Sequence, residues 1–324
     1  MALYGENTIF NTVDYKTHDE WLQIRKLGIG GSDVAAIIGV SPWTSPSELW
    51  LEKTGRIDEK EIDNPTLEFG HLMEPTIKKW FESAYPNVTA RRVNKILSNV
   101  KRPWAQASLD YECRENGIWG VLEIKTARSQ ATWSDGVPLY YLTQVQHYLA
   151  TTERSFAYVA VFFRDTCQFA AYRIERDDAF IDTIESAVDT FWNDNVITDV
   201  PPTTTSGTSG EAKALAKIAG LPTTAKFKNK TDPVLTAKIR RYREVIDEIS
   251  TLEKEKTAIA NELMSQIGSD KGIISDDQRV SWVRSERTTL DTARLKAEHP
   301  DIYDDYSTTR VVSGGLRVGT VGKI

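Results

Sequence analysis

The chain has 324 residues, 40% hydrophobic and 27% charged, enough for one large domain or two ordinary ones, and no run of about eighteen apolar residues that would cross a bilayer. Its formal net charge of -6 is unevenly spread: residues 1–200 hold 20 Lys and Arg against 29 Asp and Glu, residues 201–324 hold 20 against 17. That excludes a uniformly basic nucleic-acid binder, and any such binding has to rest on local patches.

From the N-terminus, Met1–Phe10 lacks the basic flank and apolar core of a secretory signal, so a cytoplasmic protein is expected. Trp21, Leu22, Ile24 and Leu27 give residues 19–28 a helical stripe. Ser32 is placed to begin a short apolar helix that Gly39 ends. Further helices are predicted over 46–54 and 67–84, then strands over 91–98, 104–111 and 118–126. A helix over 138–151, strands over 155–163 and 168–174, and an amphipathic helix over 177–194 follow. This order predicts an α/β fold in which helices flank a central mixed sheet.

Val200-Pro201-Pro202 and the following Thr, Ser and Gly residues mark a break. The expected division is therefore a domain over 1–200, a linker-like segment over 201–232 and a C-terminal extension over 233–324. In the extension, Ile239, Ile246, Ile249, Leu252, Ile259 and Leu263 stripe a helical segment over 233–267 that Gly268 ends. The stripe keeps no clean heptad, which favours an intramolecular helical hairpin over an oligomer seam. A β-hairpin is predicted over 272–284. There is no internal repeat.

Cys113 and Cys167 are too few for a disulfide scaffold or a four-thiolate cluster, and His18, His71, His147 and His299 show no HExxH spacing. A metal would have to be held by carboxylates, which points to a hard ion such as Mg²⁺ or Mn²⁺. Residues 118–126 read Ile-Trp-Gly-Val-Leu-Glu-Ile-Lys-Thr. In a strand, Val121, Glu123 and Lys125 share one face and Leu122 and Ile124 the other, so an acid and an ammonium stand on a largely apolar strand. Ser108-Leu109-Asp110 would end a neighbouring strand and bring a second acid. Two converging carboxylates repel unless a cation lies between them. With Mg²⁺ there, a phosphodiester would be polarised and a bound water acidified, while Lys125 would orient or help deprotonate that water and offset transition-state charge. A solvated surface pair is the plain alternative for Glu123 and Lys125 taken alone.

The surroundings decide between them. Trp21–Gly39 (WLQIRKLGIGGSDVAAIIG), Phe69–Pro75 (FGHLMEP), Ala107–Asp110 (ASLD), Leu122–Thr126 (LEIKT) and Tyr141–Leu149 (YLTQVQHYL) resemble, in order and spacing, the YqaJ-like viral recombinase family, to which phage exonucleases are related. The resemblance covers roughly residues 20–195. It implies a restriction-endonuclease-like PD-(D/E)xK core, hydrolysis with two Mg²⁺ ions (Mn²⁺ as a substitute), and 5′-to-3′ digestion of duplex DNA in recombination inside a bacterial host. Carried over residue by residue, Asp110, Glu123, Lys125 and Gln144 would be catalytic. Glu74, Asp110, Glu123 and the Ile124 carbonyl would hold metal. Arg25 and Ser32 match the pair that grips a 5′-phosphate. Double-stranded DNA ends, a single-strand annealing protein and a homo-oligomer, with a ring trimer as one form, are the partners implied; no membrane is. An endonuclease on the same core, or an inactive DNA-binding recombination module, remain as alternatives. His147 is expected to be scaffold. Trp43, Trp50, Trp104, Trp119 and Trp133 would either stack on bases or pack in the core, and Arg91, Arg92, Lys101, Arg102 and Arg128 are candidate phosphate contacts.

Overall fold

The computed structural model describes residues 10–57, 65–203, 205–220, 230–286 and 288–308. Two compact units emerge, Met1–Leu221 and Pro222–Ile324. No helix among the described residues is long and apolar enough to cross a membrane.

The first unit is α/β. Its main sheet has the order β2 (Val88–Arg92), β5 (Tyr111–Glu115), β6 (Ile118–Ala127), β7 (Phe156–Phe163), β8 (Gln168–Glu175). Only β6 and β7 run parallel; the other pairings are antiparallel, which makes the sheet mixed as expected. The parallel pair needs a crossover, and helix α5 (Leu139–Thr152) supplies it. Helix α4 (Pro65–Ala84) covers the opposite face, where its Ile77 and Phe81 pack with Leu122 and Ile124 of β6. On the α5 side, Val121 of β6 packs with Val145, Tyr148 and Leu149. The strand is therefore buried on both faces, which is why it is nearly all apolar and why Glu123 within it stands out.

A smaller antiparallel sheet joins β1 (Phe10–Asp14), β3 (Lys95–Asn99) and β4 (Gln106–Ser108). Each of the strands predicted over 91–98 and 104–111 is thus two strands. The chain leaves one sheet for the other at Val93-Asn94 and returns at Leu109-Asp110. Val93 and Leu109 are both buried in the core shared with α5, and their packing anchors the crossing. Hydrophobic alternation runs straight through such a crossing, so the sequence pattern does not reveal it. Asp110 accordingly lies in the link between β4 and β5, immediately before β5, instead of ending the preceding strand.

Short helices close the end of the sheets: α1 (His18–Lys26), α2 (Gly31–Ile37), α3 (Pro46–Lys53) and α6 (Asp178–Thr190), the last running on into a π-helical turn over Phe191–Val196. Ser45 and Glu48 form a reciprocal capping box ahead of Pro46, which fixes the start of α3. Ser209–Ala219, inside the segment read as a linker, forms α7. Ala214 is buried with the α2, α3 and α6 core, and Ser47 Oγ donates to Glu211 Oε1 at 2.6 Å. Residues 204 and 221–229 of that segment lie outside the described residues.

In the second unit, α8 (Pro233–Ile267) is one unbroken helix, capped by Asp232 with Pro233 in its first turn, and not a helical hairpin. No Gly or Pro follows Pro233 until Gly268, so nothing interrupts it. Ile239, Ile246, Ile249, Leu252 and Ile259 are exposed along it. The predicted hairpin forms from β9 (Gly272–Ser275) and β10 (Gln278–Ser281), and α9 (Thr292–Glu298) and α10 (Pro300–Asp305) follow.

Candidate active site

The parallel strand β6 places the central pair. Beyond Leu122, which faces Tyr111, β5 has not yet begun, so β6 has an open edge on that side. Asp110 occupies that edge, and its Oδ2 accepts the Ile124 N–H at 2.9 Å. N–H and C=O of one strand residue point to the same side, so the Ile124 carbonyl faces the same edge. Glu123 and Lys125 project from the face toward α5. Lys125 Nζ donates to Glu123 Oε1 at 2.6 Å, and Gln144 Nε2 of α5 donates to the same oxygen at 2.7 Å. Gln144 Nε2 also donates to Tyr148 Oη at 3.0 Å, and that hydroxyl donates to the Ser108 carbonyl at 3.0 Å. Tyr148 is one helical turn beyond Gln144, so the two side chains share a face and hold one another.

Electrostatics in this cluster are strained. Burial, and then the charge of Glu123, raise the Asp110 carboxyl well above the usual carboxylate range, against the pull of Lys125. Burial likewise raises Glu123, although Lys125 and Gln144 oppose it. Burial disfavours the Lys125 ammonium, but Glu123 and Asp110 outweigh it and push it up to about 12. Lys125 is therefore a charged donor in this arrangement. It can give up a proton to become a base only when the acids facing it are neutralised.

The donor chemistry fits a hard divalent cation. Glu123 Oε2 is buried with no hydrogen-bond partner, and Asp110 and the Ile124 carbonyl offer only oxygen ligands at the same strand edge. Among the described residues no three His, Cys, Asp or Glu side chains stand together as a finished metal site. Glu74 lies on α4, where Arg92 Nη2 contacts its Oε2 at 3.2 Å and His71 Nδ1 its Oε1 at 3.0 Å. Its charge still reaches Asp110 and Glu123, raising both. Serving as a ligand would require it to release Arg92.

Asp110, Glu123, Lys125 and Gln144 line one cleft of about 220 Å³ together with Trp21, Arg25 and Ser32. The two groups of residues that the sequence paired separately thus share a cavity. Arg25 Nη2 contacts Ser32 Oγ and Asp33 Oδ1, each at 3.1 Å, and the guanidinium lies over the Trp21 ring, 4.8 Å from its centroid. Ser32 does not cap α2. Gly30 holds that position and Asp33 Oδ2 accepts the Gly30 N–H at 2.9 Å, which frees the Ser32 hydroxyl to face the cleft. Gly31 is required by close approach: a Cβ there would lie 2.5 Å from the Tyr148 ring and 2.9 Å from Gln144 Cγ.

Sequence reasoning missed Asp33 and Lys53. Lys53 Nζ reaches Asp33 Oδ2 at 2.9 Å and donates to the Arg25 carbonyl at 3.0 Å, with its side chain only 1% exposed. Burial works against the Asp33 charge, but Lys53 and Arg25 hold its carboxyl below the usual range. The available signal was an acid directly ahead of the apolar run Val34–Ile38, in the first turn of its helix; nothing in the sequence singles out Lys53. A depressed carboxyl contributes stability above its unfolded pKa and loses it as pH falls through the folded one. Asp33→Asn is thus expected to cost about 3–5 kcal/mol at neutral pH by leaving Lys53 buried without its partner, with the difference from wild type shrinking in acid below about pH 4. Urea unfolding of both proteins across pH checks this.

Burial and partners place several of the other candidates. His147 is scaffold: burial lowers it to about 4, and its neutral ring donates from Nε2 to the Gln106 carbonyl at 3.0 Å. Trp50 and Trp133 are core residues, and Trp104 donates to Asp189. Trp119 lies under the guanidinium groups of Arg91 and Arg114. Arg91 pairs with Glu112 and Arg102 with Glu185. Trp43 alone of the five tryptophans is largely exposed, at 63%.

The fold is thus an α/β one, whose mixed sheet carries an acid–acid–lysine cluster at an open strand edge with an arginine–serine pair in the same cleft. The chain belongs to the YqaJ-like viral recombinase family: residues 20–155 match the family model, and the chain is 32% identical over 304 residues to the uncharacterized protein YqaJ of Bacillus subtilis, covering 89% of this chain and 90% of that one. Among solved structures it is similar to an alkaline exonuclease, LHK-Exo, from Laribacter hongkongensis, with 22% identity, 56% of this chain and 94% of that one covered, and a TM-score of 0.48. It is also similar to a phage-related exonuclease from Haemophilus somnus 129PT, with 13% identity, 53% and 96% covered, and a TM-score of 0.40.

Proposed function

We propose that the chain is a Mg²⁺-dependent deoxyribonuclease, a 5′-to-3′ exonuclease on duplex DNA that works in recombination beside a single-strand annealing protein. The observation that carries the reading is the single cleft joining Asp110, Glu123, Lys125 and Gln144 to Arg25 and Ser32. Membership of a recombinase family supports a DNA substrate.

The bound ions would polarise the phosphodiester and acidify the attacking water. Asp110, Glu123 and the Ile124 carbonyl would hold them, joined by Glu74 once it leaves Arg92. Gln144 and Tyr148 fix the orientation of Glu123. Lys125 places a positive charge where negative charge accumulates on the phosphorus oxygens. Water adds to phosphorus and the P–O3′ bond breaks, so the released nucleotide takes a 3′-hydroxyl and the shortened strand a new 5′-phosphate. That new phosphate is the group Arg25 and Ser32 would bind, so each cut would regenerate the end the cleft recognises. A ring-shaped homo-oligomer is part of the same proposal.

Linear and covalently closed circular duplexes, offered together with Mg²⁺, test the exonuclease reading. The linear duplex should be degraded and the closed circle left intact. A 5′-hydroxyl end should be attacked about tenfold more slowly than a 5′-phosphate, with Arg25→Ala removing that preference. Cutting of closed circles would replace the exonuclease reading with an endonuclease one.

A further inference from the structure

We infer that Trp43 and Tyr140 form a stacking subsite for the base of the terminal nucleotide, splayed away from its partner strand; the inference rests on the end-binding reading above. A second cleft of about 280 Å³ adjoins the first at Arg25. It shares Arg25, Ser32 and Gln144 with the first cleft and adds Trp43, Tyr140 and Tyr141. A phosphate held at Arg25 and Ser32 therefore stands at the junction, with the acid cluster on one side and an aromatic surface on the other.

The aromatic surface is built and not incidental. Trp43 lies edge-on to Tyr140, 4.9 Å between centroids at 80°, and 6.1 Å from Tyr141. The buried Ser41 hydroxyl accepts the N–H groups of Trp43 and Thr44, at 3.2 and 3.1 Å, and so fixes the turn that carries the indole. The backbone is held while the residue stays 63% exposed. A large apolar ring kept in water by a rigid turn contributes nothing to the core and is available to a ligand. Tyr141 runs back to the acid cluster, since the Lys125 ammonium lies 4.9 Å from its ring centroid. The occupant this chemistry fits is a flat nucleobase attached to the phosphate at Arg25. Every base has a π-face, so such a site tolerates any sequence.

The test is binding of 5′-phosphorylated duplex DNA to the full chain in EDTA, so that no hydrolysis intervenes. The 5′-terminal residue is either an ordinary nucleotide or an abasic one. Wild type should bind the base-bearing end about tenfold more tightly than the abasic end. Trp43→Ala should abolish that difference, and Trp43→Phe should keep most of it. An unchanged melting curve for Trp43→Ala shows that the fold is intact. The proposal is overturned if wild type does not distinguish the two ends, if Trp43→Ala still does, or if no DNA binds. Hydrolysis in Mg²⁺ is scored separately: its absence would remove the nuclease reading while leaving a measured base preference in place.

Discussion

Asp110→Asn is expected to abolish DNA hydrolysis while making the metal-free protein harder to unfold. Asp110 is buried beside Glu123, and both burial and that neighbour raise its carboxyl. A group whose folded pKa is raised stabilises the fold below its unfolded pKa and loses that contribution as pH rises through the folded one. At neutral pH the Asp110 charge is therefore a cost, which Asn removes while its amide oxygen still accepts the Ile124 N–H. The expected gain is about 1–3 kcal/mol, several degrees in melting temperature, fading as pH falls toward about 4. If Asp110 holds the cation as proposed, activity should fall by about 10³-fold or more with the loss of that ligand. Melting curves with and without Mg²⁺ check the other half of the argument: Mg²⁺ should raise the wild-type melting temperature and leave Asp110→Asn nearly unmoved.

Lys125→Ala should move stability the opposite way. It leaves Glu123 buried at 2% exposure with only Gln144 on its Oε1 and nothing on its Oε2. Breaking a buried pair in this manner costs about 3–5 kcal/mol, and loss of the ammonium beside the reacting phosphate costs about 10²–10³-fold in rate. Urea midpoints and initial rates read the two effects independently. Equal stability changes in the two variants would mean that the cluster is not under the electrostatic tension described.

Much of this was legible in the sequence, but not from strand β6 alone: Glu123 and Lys125 on one face of an apolar run also read as a solvated pair, and it was the motifs around them, in order and spacing, that decided the reading. Gln144 and Glu74 were placed on the helices that carry them, and the boundaries of α8 were fixed by Pro233 and Gly268. The crossing between sheets at Val93-Asn94 and Leu109-Asp110 was not legible, since apolar alternation continues through it. That crossing is what brings Asp110 to the open edge of β6. The Asp33–Lys53 pair was hidden for a different reason. A lysine on a short helix reads as solvated, and only the packing of α3 against α2 and α1 buries it. The position of Glu74 beside Arg92 was equally invisible, because it depends on how α4 lies over β2.

Hydrolysis of an end-phosphorylated linear duplex by wild type and by Asp110→Asn, each in Mg²⁺ and in EDTA, tests most directly whether the cleft is one metal-dependent nuclease site. Wild type should release nucleotides in Mg²⁺ and none in EDTA, and Asp110→Asn none in either. Equal release by the two proteins, or release by wild type in EDTA, would contradict it.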